Sequence, residues 1–160
     1  MPAFMLHVKL EMENVAKASL KANSYCINLK EGAGFETRDG VHVDRGHEAE
    51  IPGSKGNANF VMKWKESKRE CTISIVDVKG ATRDITEDDN EKWVPIAVFE
   101  CRGCEPTGYQ PEGEWLVEST KGTKFEDVDL SDEWTDYCEK LGESVSIMKL
   151  ESKFELRRAK

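Results

Sequence analysis

The chain has 160 residues, the length of one ordinary domain or two small ones. Aspartate and glutamate outnumber lysine and arginine 31 to 23, so the net charge is −8, which argues against a nucleic-acid or anionic-membrane surface. Charged residues reach 34%, and Leu, Ile, Val and Phe together only about a fifth, so a thin-cored and highly charged fold is expected.

No segment reads as a membrane span. The longest apolar run, Val94 to Phe99, contains Pro95 and falls far short of the ~20 residues a spanning helix needs. The opening MPAFML stretch follows no basic segment and is interrupted by His7 and Lys9, unlike a signal peptide. Five cysteines, an odd count, then suggest reduced thiols in the cytoplasm.

The dominant period is two. Phe4, Leu6, Val8, Leu10 and Met12 alternate with Met5, His7, Lys9, Glu11 and Glu13, as in a strand with one buried face. Tyr25, Ile27 and Leu29 form a second such set, and Phe60, Met62 and Trp64 a third. Within Cys71 to Val78 the apolar face switches midway, which predicts a bulge or a strand covered on both sides. Val94 to Phe99 is apolar on both faces and reads as a central strand. Trp115 to Val117, Phe125 to Leu130 and Val145 to Leu156 follow. Ser131 to Leu141 has helical spacing, but its Trp, its Tyr and the following Gly142 favour a hairpin. The fold class expected is all-β, an elongated body of two similar antiparallel β units with few or no helices. Loosely repeated segments divide the chain into 1–85 and 86–160, packed as one body, with the acidic stretch Thr86 to Lys92 at the junction.

Motifs with chemistry are sparse. Cys101-Arg102-Gly103-Cys104 could supply two thiolates to zinc or act as a redox dithiol, but no second C-x-x-C completes a zinc site. His7, His42 and His47 are scattered, and only His42 and His47 look able to approach each other. Gly53 to Asn57 lacks the spacing of a phosphate loop and reads as a tight turn. Glu87 to Glu91 lacks the glycine and terminal glutamate of a calcium loop, and reads as a solvated acidic loop.

Phe99-Glu100-Cys101-Arg102-Gly103-Cys104-Glu105-Pro106 resembles the FECRGLEP signature of the eukaryotic CXXC-motif-containing zinc-binding proteins, a family of unknown function. Asp127-Val128-Asp129-Leu130, Glu133 to Tyr137, Glu143 to Ile147 and Gly53 to Val61 extend the resemblance along nearly the whole chain. It implies the family's all-β fold and one zinc held by two C-x-x-C pairs. Those four cysteine positions fall on Glu31, Gly34, Trp64 and Ser67, of which glycine and tryptophan cannot ligate. The resemblance therefore implies a member without the family's zinc, and no cofactor is expected.

The function expected is non-catalytic: a cytoplasmic protein that binds an unidentified protein partner, with neither nucleic acid nor membrane as a target. Two alternatives stand beside it. One is a rearranged zinc site built from Cys26, Cys71, Glu31 or a histidine. The other is a thiol enzyme using Cys101 or Cys104 beside Arg102. Two structural expectations follow. Trp64 should fill the former metal position against Phe35, with loops 31–36 and 64–67 still in contact. Arg102 should pair with a carboxylate, Glu105 or one from the other β unit, because an unpaired guanidinium is costly to bury.

Overall fold

The computed structural model describes residues 2–21, 24–54, 56–79, 82–112 and 114–157. The first half holds β1 (Ala3–Glu13), β2 (Val15–Leu20), β3 (Ser24–Glu31), β4 (Thr37–Asp44), β5 (Ala49–Glu50), β6 (Asn57–Ala58), β7 (Phe60–Lys63), β8 (Glu70–Val76) and β9 (Ile85–Thr86). The second half holds β10 (Trp93–Arg102), β11 (Cys104–Gln110), β12 (Trp115–Ser119), β13 (Lys124–Val128), β14 (Trp134–Cys138) and β15 (Glu143–Arg157). Among the described residues the helical content is one 3-10 turn, Glu87–Asp89. The fold is all-β, and no helix is long and apolar enough to cross a membrane.

Pairing is antiparallel throughout the described ladders. A six-stranded sheet runs β14-β15-β1-β10-β8-β7, a three-stranded sheet β11-β3-β4, and a four-stranded sheet β13-β12-β2-β9. Strands β5 and β6 form a separate hairpin. Each of the three larger sheets takes strands from both 1–85 and 86–160, so the two halves are interleaved.

The period-two pattern explains the centre. Leu6, Val8 and Leu10 of β1 are fully buried, and β1 lies between β15 and β10. The mixed phase in β8 comes from cover on both sides, with Thr72 and Ile73 both buried and no register shift in its ladders. The Ser131–Leu141 segment is the hairpin partner: β14 pairs β15 from Trp134↔Ile147 to Cys138↔Glu143, and Gly142 turns the chain at φ 72.

Two left-handed residues pass the chain from one sheet to the next. Asn14 (φ 60) separates β1 from β2, and its side chain donates to the Ser144 carbonyl at 2.9 Å. Gly103 (φ 78) separates β10 from β11. Only glycine suits that second position, because a side chain there would run into the Glu70 carbonyl. The sheets close on one core, where Tyr25 meets Phe99 edge-on with ring centroids 5.3 Å apart.

The acidic junction is not wholly solvated, contrary to the sequence reading. Asp89 is buried, and it accepts hydrogen bonds from both Arg83 guanidinium nitrogens at 2.6 and 2.8 Å and from the Thr86 amide at 2.9 Å. The Arg83 guanidinium, assisted by Thr86 and opposed by burial, holds the Asp89 carboxyl well below the usual carboxylate range. The folded protein then binds fewer protons here than the unfolded chain does. This contribution to stability is complete at neutral pH and declines as pH falls below about 4 toward the folded-state value. Asp89→Asn is expected to cost about 1.5–3 kcal/mol at pH 7 in denaturant unfolding, and progressively less as the pH is lowered through that range.

Candidate functional site

Glu31, Gly34, Trp64 and Ser67, the positions that the resemblance matches to the family's cysteines, occupy two tight turns that face each other. In the first turn the Glu31 amide donates to the Glu36 carbonyl at 2.8 Å. In the second the Trp64 amide donates to Arg69 and the Lys68 amide to Trp64, at 2.9 and 3.0 Å. Side chains then bridge the turns. The Ser67 hydroxyl donates to Glu31 Oε2 at 2.5 Å, and the Glu36 carboxylate accepts from the Lys65 and Glu66 amides at 3.2 and 3.0 Å. Glu31 is buried at the inward end of β3. Its carboxylate lies where a side chain on Gly34 would have to go. Trp64 is 1% exposed and its indole Nε1 donates to the Gly103 carbonyl at 2.8 Å.

Loops 31–36 and 64–67 therefore meet, and Trp64 is interior, but Phe35 is 97% exposed and does not pack against it. Phe35 stands on the bend before β4 with its ring in solvent, while the next residue, Glu36, turns its carboxylate toward the second loop.

The expected partner of Arg102 is also absent. Arg102 and Glu105 are both exposed, and among the described residues Arg102 forms no ion pair. The expectation assumed a buried guanidinium. The turn at Gly103 instead leaves Arg102 in water, where hydration replaces a carboxylate. Arg102 lines a groove of about 610 Å³ together with Pro2, Phe4, Leu156 and Arg157, and Cys101 and Cys104 belong to its wall. Leu156 is 56% exposed.

All five cysteines are free and buried. Cys71 does not join Cys26: it lies on β8 in the core, next to Cys104. That thiol, and then burial, push the Cys71 thiol far above its ordinary range. Cys104 is raised chiefly by the neighbouring Cys101 thiol, with burial adding and Cys71 opposing. Cys138 alone is lowered, by the Ser119 and then the Thr123 hydroxyl, but it is fully buried. Cys26 lies on the opposite face of β3 from Glu31, and the ladders place it between His42 on β4 and Gln110 on β11. The sequence reading named Cys26 and a histidine as donors of a rearranged site but not which histidine nor Glu112, since strand register and not spacing creates this neighbourhood.

The chain belongs to the eukaryotic family of CXXC motif containing zinc binding proteins, whose model matches residues 5–155. It is 42% identical over 107 residues to a UPF0587 protein of Caenorhabditis elegans, a match spanning 66% of this chain and 63% of that one. It is 31% identical over 159 residues to the CXXC motif containing zinc binding protein of Xenopus laevis, covering 96% of this chain and 98% of the relative. Among solved structures, a hypothetical protein from Plasmodium falciparum superposes with a TM-score of 0.87 at 34% identity, over 97% of this chain and all of that one.

The residues at the four positions do not fit a zinc ion. Gly34 has no donor, the indole nitrogen of Trp64 is spent as an N–H donor, and Glu31 and Ser67 bind each other. Trp64→Ala is expected to cost about 3–5 kcal/mol in thermal or denaturant unfolding, as other buried Trp truncations do. Phe35→Ala should stay within about 0.5 kcal/mol of the parent.

Proposed function

We propose that this chain is a non-catalytic member of its family that acts in the cytoplasm by binding a protein partner, with side chains in place of the family's zinc. The observation that carries the reading is the Glu31–Ser67 hydrogen bond between the two facing turns, beside an indole already committed to the Gly103 carbonyl. Together they supply a closure of the site by protein atoms alone. The thiol-enzyme alternative gains no support from its two cysteines: Cys101 is buried, and Cys104 is buried with a raised thiol that favours the protonated, unreactive form.

The groove beside the turns is the face proposed to receive the partner. It offers an apolar surface from Phe4 and Leu156, flanked by the guanidinium groups of Arg102 and Arg157. An extended segment with an apolar side chain next to a carboxylate matches that chemistry. Neither nucleic acid nor membrane is proposed as a target, since the chain carries a net charge of −8. Affinity capture from cell extract tests the reading with the parent, Arg102→Glu and Leu156→Asp. A protein held by the parent and released by both variants is the expected result. Equal retention by all three, or none by the parent, would contradict it.

A further inference from the structure

The outer face of the three-stranded sheet carries a second constellation, remote from the two turns. Cys26 sits in the middle strand of β11-β3-β4, and its directly opposed neighbour on β4 is His42. On the other side Gln110 opposes it, and the chain then tightens, with the Glu112 amide donating to the Gln110 carbonyl at 2.9 Å. That turn brings the Glu112 carboxylate back over β3. The thiol, one imidazole nitrogen and one carboxylate oxygen all lie within 4.8 Å of one another. His42 Nε2 and Glu112 Oε2 are 3.4 Å apart.

Burial gives this cluster its shape. Residues 25, 27, 29 and 31 of β3 face the core, so Cys26 points to the solvent side of the sheet, yet it is only 4% exposed. His42 and Glu112 remain exposed, with 61% and 56% of their side-chain surfaces open. A thiol recessed on the solvent side, with two exposed donors above it, is reachable without opening the core. Burial first, and then the Glu112 charge, raise the Cys26 thiol, so without a cation it stays protonated. A bound divalent cation reverses that balance by stabilising the thiolate and offsetting the carboxylate.

We propose that Cys26 Sγ, His42 Nε2 and Glu112 form a mononuclear site for a borderline-soft divalent transition metal, with zinc the first candidate. Sulfur, imidazole and carboxylate donors together suit zinc or cobalt and disfavour calcium or magnesium, which take oxygen donors. Three protein donors leave a fourth tetrahedral position for water or for a donor from another molecule. The ion would tie edge strand β4 and the segment after β11 to the middle strand. It would lie on the other face of β3 from Glu31 and about 17 Å along the strand from it, five residues at ~3.3 Å each.

The test is titration of the purified full-length protein with cobalt(II) and, separately, with zinc(II) against a chromophoric chelator. One equivalent should bind, and cobalt should give a thiolate charge-transfer band. Cys26→Ser should abolish the band, and the exposed-residue variants His42→Ala and Glu112→Gln should each weaken binding by at least about tenfold, the scale on which even outer-shell partners act. Glu31→Gln should leave the titration unchanged. No binding, or a band that survives Cys26→Ser, overturns the proposal. Binding lost in Glu31→Gln and kept in Cys26→Ser overturns it and also places metal at the two turns, contrary to the function proposed above.

Discussion

The Gly103 carbonyl is the point on which the site depends. It accepts the Trp64 indole proton at 2.8 Å and also the Gly32 amide at 3.4 Å, so three separate segments meet at one oxygen. An indole N–H buried without that acceptor would cost about 1–3 kcal/mol. The left-handed turn at Gly103 presents the oxygen, and its missing side chain lets the backbone lie against Glu70. The same turn sends Arg102 outward and Cys101 and Cys104 inward, so the placement of the groove and of the thiols follows from it.

Strand β3 links this region to the rest of the sheet. Its inner face adds Tyr25, Ile27 and Leu29 to the core and ends at Glu31. Its outer face carries Cys26 and Asn28. The Asn28 side-chain oxygen accepts from the Gly40 amide at 3.1 Å and from the Gln110 side chain at 2.8 Å, fastening β4 and β11 to the centre. One strand thus holds two unlike arrangements: a closed contact between carboxylate and hydroxyl inside, and a recessed thiol under polar donors outside.

Much of the fold was legible in the sequence because period-two burial is a local signal. Leu6, Val8 and Leu10 announced β1, and Trp134 with Gly142 announced the last hairpin. The site was legible only in part. Burial of Trp64 followed from its alternation with Phe60 and Met62 and from the resemblance, which puts it at a ligand position, but Phe35 lies on a bend whose direction no periodicity encodes. Arg102 was read as buried from an apolar strand, and one left-handed residue put it in water. Asp89 looked like one acid among several until Arg83 folded onto it. The meeting of Cys26, His42 and Glu112 depends on register across three strands, with His42 and Glu112 70 residues apart, and no spacing rule encodes that.

The central claim is that protein contacts, not a metal ion, hold the two turns together. Thermal unfolding of Cys26→Ser tests it most directly, because that background removes the outer-face thiol and leaves the turns intact. Curves recorded with excess zinc, with a strong chelator and with neither should coincide. A melting temperature raised by zinc or lowered by the chelator in that variant would contradict the claim.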